Sequence, residues 1–273
     1  MNETRKSYHL GTSDEELIRL GFQHQAWQDA TATLWARAGF GFGQTLLDLG
    51  CGPGFATLEL ARLVGKTGQV HALDASEKFV DYLQACIEAA GLQNIDVKCG
   101  DVHSIGLDGR SVDGVFARWL LCFVTDPAKA CAEVARVLRP GGVFLAWDYF
   151  NYQAVHVYPL RRSIEKLFAS YYQSAIDHGG SYDIGQRLPR MMQDCGLELI
   201  HLEPINRIAR PGSAIWHWVS LFNASYLPRL VDQGLMTVRE AGQFRRDWRD
   251  LEADPSAFFF SPPMLGIIAR KPT

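Results

Sequence analysis

The amino-acid sequence predicts an α/β protein with a doubly wound, mostly parallel sheet of seven strands and with added helices that form a cap. Between residues 45 and 150, short apolar runs alternate with amphipathic helical stretches. The runs are apolar nearly throughout, which is typical of parallel strands covered by helices on both faces. The first run ends in a glycine-rich turn that leads into a helix, as in folds that bind ligands at the strand ends.

The N-terminal segment is predicted to be helical up to the glycines at positions 39–43. Ser13 followed by Glu16 has the spacing of a capping box, in which each residue bonds the backbone of the other. Apolar side chains then recur at intervals of three and four, which indicates one buried helix face. This stripe consists of Leu17, Leu20, His24, Trp27, Thr31 and Leu34.

The segment that follows predicts the alternating strands and helices of the sheet. Glycine after each helical stretch, and Pro127 at the start of another, are typical helix boundary signals. Strands are predicted in the runs at 45–49, 69–75, 94–101, 112–123 and 143–150, and helices at 55–65, 77–92 and from 126 to about 139.

Beyond residue 151 the alternation loosens, and added helices are predicted among the last strands. Helices are expected at 159–178, 185–195, 213–230 and 237–251, and strands at 197–210 and 258–272. No Ser/Gly-rich linker, repeat or low-complexity tract interrupts the chain. We therefore expect a single domain, organised as a helical cover (1–43), a ligand-binding core (44–150) and the rest of the sheet with its cap (151–273).

Composition narrows the possible partners. The 273 residues are 47% hydrophobic and 21% charged, with a formal net charge of −3, which gives no reason to expect a nucleic-acid partner. No apolar run approaches the roughly 18 residues that cross a bilayer, and the start lacks a signal peptide. Six cysteines without a CxxC pair favour reduced, buried thiols over disulfides or a zinc site. A cytoplasmic protein with no metal and no membrane contact is predicted, and its oligomeric state stays open.

The strongest functional signal is the sequence DLGCGPG at 48–54, in which glycines alternate with other residues after the first strand. Glycine permits left-handed backbone angles and lets a ligand approach the backbone. Asp74 lies at the end of the next strand, where a carboxylate can accept from ribose hydroxyls. Asp101 ends the third strand and is placed to accept from an adenine amino group. Each acid alone is more often a turn or cap residue, but three such features on consecutive strand ends favour a nucleoside site.

These residues, with the segment at 112–124 and the LRPGG turn at 138–142, resemble the class I S-adenosylmethionine-dependent methyltransferases. The resemblance covers about residues 45–150. It implies S-adenosylmethionine as cofactor and a seventh strand antiparallel to the others. More weakly, Tyr8, Leu10-Gly11 and the first helix resemble the N-terminal cover of family members that act on small molecules.

The resemblance also implies roles for individual residues. Asp48 would hold the methionine end of the cofactor through its amino group, Asp74 the ribose, and Asp101 with Val102 the adenine. Arg118 would border the methionine moiety through its backbone. The full set of expected cofactor-binding residues is Asp48, Gly50, Cys51, Gly52, Gly54, Asp74, Ala75, Asp101, Val102 and Arg118.

Two other function classes remain possible at this point. A nicotinamide-dependent oxidoreductase also uses a glycine turn, but its fingerprint is G-x-G-x-x-G and cradles a pyrophosphate. Here the glycines run G-x-G-x-G, and a carboxylate two residues before them suits an ammonium group better than a phosphate. A non-catalytic partner subunit would bind S-adenosylmethionine without turning it over.

The methyl acceptor is predicted to be a small organic molecule, methylated on oxygen, nitrogen or carbon. The fourth strand carries Ala117-Arg118-Trp119-Leu120 instead of the Asn/Asp-Pro-Pro-Tyr tetrapeptide of relatives that methylate amide or adenine nitrogens. Aromatic residues in the cap suggest an aromatic or polyketide-like acceptor. A general base is needed only where the acceptor keeps its proton. The candidates for that role are His24, Tyr149, Tyr152 and His156.

Overall fold

The structure is a computed structural model that describes residues 13–273. The expected cover residues Tyr8, Leu10 and Gly11 lie outside this range. Ten strands are described: β1 (Thr45–Leu49), β2 (Gln69–Asp74), β3 (Ile95–Cys99), β4 (Val112–Arg118), β5 (Leu138–Tyr149), β6 (His156–Tyr158), β7 (Glu198–Ile205), β8 (Ile208–Ala209), β9 (Phe258–Phe260) and β10 (Met264–Arg270).

Nine α-helices connect or cover these strands in the described part of the chain. They are α1 (Asp14–Ala26), α2 (Gln28–Ala38), α3 (Phe55–Val64), α4 (Glu77–Ala90), α5 (Pro127–Val137), α6 (Arg162–Asp177), α7 (Leu188–Asp194), α8 (Ala214–Asp232) and α9 (Val238–Ala253). Side-chain caps begin several of them, because the first N–H groups of a helix have no partner within it. Ser76 caps α4 and Asp126 caps α5, while Thr237 and Glu240 form a complete capping box on α9.

Seven strands form one sheet in the order β3-β2-β1-β4-β5-β10-β7. The first five are parallel to one another, and β10 is antiparallel to both of its neighbours, β5 and β7. The predicted fold class is therefore confirmed, including the antiparallel seventh strand. Since β1 lies between β2 and β4, the carboxyl ends of these three strands meet at one edge of the sheet.

Four sequence expectations need correction. The N-terminal helix is interrupted at Trp27, whose backbone leaves the helical region and separates α1 from α2. Ser13 caps α1, but the Glu16 carboxylate binds Arg19 at 2.6 and 2.7 Å instead of closing a capping box. The strand predicted at 112–123 ends at Arg118, and part of the apolar run that follows forms a short 3₁₀ helix instead (Leu121–Phe123). Finally, β6, β9 and β8 form a separate three-stranded sheet, which depends on pairing between distant segments.

None of the six cysteines forms a disulfide bond with another described residue. Cys51, Cys122 and Cys131 are buried as expected, but Cys99 is exposed because it ends the edge strand β3. No group of three His, Cys, Asp or Glu side chains within residues 13–273 is placed to hold a metal ion. In the same range, no helix has the length and apolar character needed to span a bilayer.

The two N-terminal helices pack onto the sheet through aromatic side chains. Trp27 is fully buried, and its ring meets those of Trp119, Trp147 and Trp218 edge-on at centroid distances of 5.2–6.0 Å. Such edge-to-face pairs are a favoured aromatic geometry. Helices α1 and α2 are thus fixed above the carboxyl ends of β4 and β5.

A close contact between strand β4 and the end of α2 offers a test of this packing. Gly114 lies where an added Cβ would be 2.5 Å from the Phe40 ring and 2.9 Å from Leu46. We expect Gly114→Ala to lower the free energy of unfolding by about 1–3 kcal/mol through overpacking, as measured in urea. Gly41→Ala is the matched control, because no atom lies within 4 Å of its Cβ position. Equal stability of the two variants would contradict the described packing.

Candidate cofactor and acceptor site

The glycine-rich loop after β1 is held by the end of β2. The backbone N–H groups of Gly50 and Cys51 both donate to the Leu73 carbonyl oxygen, at 2.7 and 3.1 Å. The Asp74 carboxylate accepts from the backbone N–H of Gly52 and of Ser76, both at 2.8 Å. Asp74 therefore shapes the loop directly, and each of its oxygens keeps a further lone pair toward a ligand.

Glycine is present at the three loop positions for different physical reasons. All have positive φ angles, of +72°, +54° and +82° in chain order. A Cβ on Gly50 would lie 2.6 Å from Leu120, and one on Gly54 would lie 2.2 Å from Leu83. At Gly52, by contrast, no atom of residues 13–273 beyond its two chain neighbours lies within 4 Å of the Cβ position. Gly50 and Gly54 are thus required by packing, whereas Gly52 borders open space that a ligand can approach.

Asp48 places a carboxylate in the interior, on strand β1. Its side chain is only 3% exposed and accepts a 2.6 Å hydrogen bond from the Thr57 hydroxyl on α3. Burial raises the pKa of Asp48 to about 6, while the Thr57 bond and the charge of Arg118 lower it and Asp74 raises it further. Within the described residues, no cationic side chain lies at ion-pair distance from this carboxylate. An ammonium group is the ligand chemistry that suits it.

Arg118 ends β4, and its side chain reaches the N-terminal helices. Its guanidinium donates to the Thr31 hydroxyl of α2 at 2.8 Å and contacts His24 Nδ1 of α1 at 3.0 Å. The guanidinium carbon also lies over the Trp119 ring, 5.1 Å from its centroid. The sequence predicted only a backbone role for this residue, whereas its side chain connects the sheet to the helical cover.

His24 is buried between two charged groups that define its tautomer. Because a guanidinium only donates, His24 Nδ1 must accept from Arg118, and the ring proton resides on Nε2. Nε2 lies 3.2 Å from a carboxylate oxygen of Glu59 on α3. Burial and the charge of Arg118 lower the pKa of His24, and Glu59 opposes this shift. His24 Nε2 makes no hydrogen bond within the described residues, so the contact with Glu59 is a close approach of charge and not a bond. A neutral imidazole that accepts through Nδ1 is suited to positioning Arg118.

Sequence patterns did not single out Thr31, Thr57 or Glu59. The Glu59 carboxylate also accepts from Gln28 at 2.7 Å, so it joins α3 to both N-terminal helices. A glutamate on a helix usually indicates a solvent-facing surface, and no local signal marked it otherwise. Thr31 was noted only as part of the apolar stripe.

The residues expected to surround adenine lie beyond the end of β3. Val102 is buried, whereas Asp101 and Ala75 are exposed. The Asp101 carboxylate accepts from the backbone N–H of His103 at 2.9 Å and lies 2.7 Å from its Nδ1. These bonds lower the pKa of Asp101 against the opposing effect of burial. Asp101 is therefore an ionised, exposed acceptor at the rim of the strand ends.

The candidate tyrosines Tyr149 and Tyr152 lie at and just after the end of β5. Tyr149, Tyr152 and Tyr182 form a cluster with ring centroids 4.6–5.3 Å apart. Burial raises the pKa of all three phenols, so they are neutral at physiological pH. Their hydroxyls have no hydrogen-bond partner among residues 13–273. His156 is exposed on the small sheet, where β6 pairs with β9.

A second buried acid, Asp148, precedes this cluster on β5. Its carboxylate accepts from the backbone N–H of Cys122 at 3.0 Å and of Tyr149 at 2.9 Å. Burial raises its pKa to about 6, while these bonds lower it. Because its oxygens are occupied by backbone donors, Asp148 fixes the chain after β4 against the end of β5.

The raised pKa of Asp48 predicts a pH-dependent cost in stability. The group ionises near pH 6 in the folded chain and near 3.8 when unfolded, so the stability it contributes at low pH is lost as pH rises between these values. We expect Asp48→Asn to stabilise the ligand-free protein by about 1–3 kcal/mol at pH 7 and by little at pH 4. Asn can still accept from Thr57.

Urea unfolding at pH 4, 5, 6 and 7 measures this difference. Asp250→Asn, at an exposed position on α9, is the control and should change stability by less than about 0.5 kcal/mol throughout. A difference between Asp48→Asn and the unchanged protein that stays constant with pH would contradict the raised pKa.

Comparisons with known proteins identify a methyltransferase domain in part of the chain. Residues 47–146 match the family model described as a methyltransferase domain. An uncharacterized 37.1 kDa protein of a Streptomyces fradiae transposon is 32% identical over 213 residues, covering 74% of this chain and 59% of that protein. A demethylmenaquinone methyltransferase of Desulfitobacterium hafniense is 29% identical over 171 residues, covering 57% of this chain and 66% of the relative. The aligned chain thus spans less than two thirds of either relative.

Solved structures agree on the fold. A crystal structure described as a methyltransferase from Bacillus halodurans C-125 has a TM-score of 0.61 and 21% identity, covering 89% of this chain and 98% of that one. The likeness extends beyond the segment that the family model matches. Residues 47–146 thus match a methyltransferase domain, and the chain has the α/β fold of a solved methyltransferase structure, as the sequence predicted.

Proposed function

We propose that this chain transfers the methyl group of S-adenosylmethionine to an oxygen, nitrogen or carbon atom of a small organic acceptor. The proposal depends above all on the open space at Gly52, which lies in the loop between the buried Asp48 carboxylate and Asp74. The match of residues 47–146 to a methyltransferase domain supports it. S-adenosylmethionine, when bound, supplies the activated methyl group.

The charges of the site fit the parts of this cofactor. Asp48 is a buried anion without an ion-pair partner among the described residues, and it would receive the α-ammonium group. Asp74 would accept from the ribose hydroxyls with the lone pairs that its backbone donors leave free. Asp101 and the buried Val102 would contact the adenine. The chain thus orients the nucleoside and the amino-acid end separately.

Positioning supplies most of the catalysis in this proposal. Methyl transfer requires the acceptor atom in line with the methyl carbon, and holding two reactants about 3–3.5 Å apart in the right orientation greatly accelerates a reaction. The cover formed by α1 and α2 would exclude water above the strand ends. The phenols of Tyr149 and Tyr152 would orient an acceptor by hydrogen bonds, since their raised pKa values keep them protonated and so unable to take a proton.

The aromatic cluster favours an aromatic acceptor. Flat rings offer stacking surfaces, and the hydroxyls of Tyr149, Tyr152 and Tyr182 lack hydrogen-bond partners within the described residues. One relative is named a demethylmenaquinone methyltransferase, and this name indicates a quinone acceptor. It supports the same class of acceptor for this chain. The net charge of −3 gives no support for a nucleic acid.

Calorimetric titration of the protein with S-adenosylhomocysteine and with NAD⁺ tests the cofactor part. We expect S-adenosylhomocysteine to bind at least about tenfold more tightly, because a carboxylate at position 48 repels a pyrophosphate. Tighter binding of NAD⁺ would contradict the proposal in favour of an oxidoreductase. A metabolite screen with labelled S-adenosylmethionine then tests turnover, and binding without incorporation in any quinone or phenol would favour a non-catalytic subunit.

Two neighbouring glycines provide a matched pair of variants. Gly52→Ala places a methyl group in open space, so we expect a stability loss of only about 1–2 kcal/mol from the positive φ, but at least tenfold weaker binding of S-adenosylhomocysteine. Gly54→Ala meets Leu83 and should mainly destabilise the fold, by more than about 2 kcal/mol. Calorimetry and urea unfolding separate the two effects. Unchanged affinity in Gly52→Ala would show that no ligand approaches this part of the loop.

A further inference from the structure

We propose that the Arg118 side chain binds the carboxylate of the cofactor's amino-acid portion, so that Asp48 and Arg118 together bind both charges of a zwitterion. This inference depends on the proposed function, because it concerns the same cofactor. It assigns Arg118 a role beyond the backbone contact that the family resemblance implies. Its basis is the placement and the contacts of the guanidinium.

Asp48 and Arg118 lie on adjacent parallel strands. Asp48 of β1 is paired in register with Phe116 of β4, and Arg118 follows two residues later at the end of that strand. Residues two apart on a strand point to the same face of the sheet. The two side chains also influence each other electrostatically, since each shifts the pKa of the other toward ionisation. A carboxylate and a guanidinium therefore lie close together at the strand ends.

The guanidinium lacks a carboxylate partner within the described residues. Its hydrogen-bond partners there are the hydroxyl of Thr31 and the imidazole of His24, both neutral, which use two of its five N–H groups. Burial lowers the pKa of Arg118 to about 10, although Asp48 and Glu59 oppose this shift. A partly buried cation without an anion in contact is costly, and a bidentate carboxylate is its preferred partner.

The guanidinium is also fixed in place, as a binding group should be. Its central carbon lies 5.1 and 5.8 Å from the ring centroids of Trp119 and Trp147. Trp119 itself has a φ of +50°, an unfavourable angle for a bulky residue that persists only when its surroundings impose it. Thr31 and His24 hold Arg118, and the Glu59 carboxylate lies 3.2 Å from His24 Nε2. We assign these three as positioning residues.

Charge balance gives the same assignment. A bound amino acid presents an ammonium and a carboxylate on one carbon atom, so a site with Asp48 alone would attract one and repel the other. Arg118 supplies the missing positive charge, and it is close enough to Asp48 to lower the pKa of that carboxylate. The site then matches the amino-acid end with one protein charge for each ligand charge.

Binding of three related ligands tests the inference without relying on activity. S-adenosylhomocysteine carries the whole amino acid, its decarboxylated analogue keeps the amine alone, and 5′-methylthioadenosine lacks both charged groups. With the unchanged protein, we expect loss of the carboxylate to weaken binding about 10- to 100-fold, as for a charge-assisted hydrogen bond. Equal affinity for the first two ligands would overturn the proposal, and this comparison needs no variant.

The variant Arg118→Met keeps the length and apolar contacts of the side chain but removes its charge. The substitution should weaken the binding of S-adenosylhomocysteine about 10- to 100-fold and change the affinity for the other two ligands by less than about threefold. Thr31→Val should give a smaller loss with the same ligand selectivity. Equal weakening of all three ligands by Arg118→Met would overturn the proposal and assign Arg118 a purely structural role.

Arg139→Met is the matched control. Arg139 forms a 2.8 Å ion pair with Asp113 near the start of β5, at the opposite end of the strand from Tyr149. The variant Arg139→Met should leave the affinities for all three ligands unchanged. Failure of the unchanged protein to bind any of the ligands would contradict the proposed function itself, whereas tight but carboxylate-independent binding contradicts only the role of Arg118.

Discussion

The buried carboxylate of Asp48 is the constraint on which the rest of the site depends. It lies on β1, the strand that leads into the glycine loop, and its hydrogen bond comes from one neutral hydroxyl, that of Thr57. Burial of a charge without a contacting counter-ion is unfavourable, so the folded chain carries this cost until a cation arrives. The loop leaves room for that cation because its middle glycine, Gly52, has no protein atom next to its Cβ position.

The helical cover and the proposed cofactor site are energetically connected. Arg118 joins β4 to His24 of α1 and Thr31 of α2, and Glu59 lies against the same two helices from α3. The Arg118 contacts are partly buried, where solvent and salt screen them weakly, whereas the Gln28–Glu59 hydrogen bond is exposed. A ligand that engages Arg118 therefore also stabilises the packing of α1 and α2, and a loosened cover weakens ligand binding by the same amount of free energy.

Local sequence patterns predicted the sheet, most helices and the ligand loop, because apolar periodicity, caps and glycine turns act over a few residues. The break at Trp27 and the small sheet of β6, β8 and β9 escaped prediction because both depend on packing between distant segments. The contact between His24 and Arg118 joins residues 94 positions apart, and nothing in either neighbourhood indicates it. Asp48, Asp74 and Gly52 were identifiable because the loop that carries them has a characteristic spacing.

The contacts of Arg118 also explain how opposite charges can coexist near each other without neutralising the site. A free guanidinium close to a buried carboxylate would collapse onto it, and a zwitterionic ligand would then have to break that ion pair. Among residues 13–273 Asp48 and Arg118 form no contact within ion-pair distance, while Thr31 and His24 hold the guanidinium at 2.8 and 3.0 Å. Because neutral partners fix the cation, both charges stay available, and the binding free energy is not consumed in separating them.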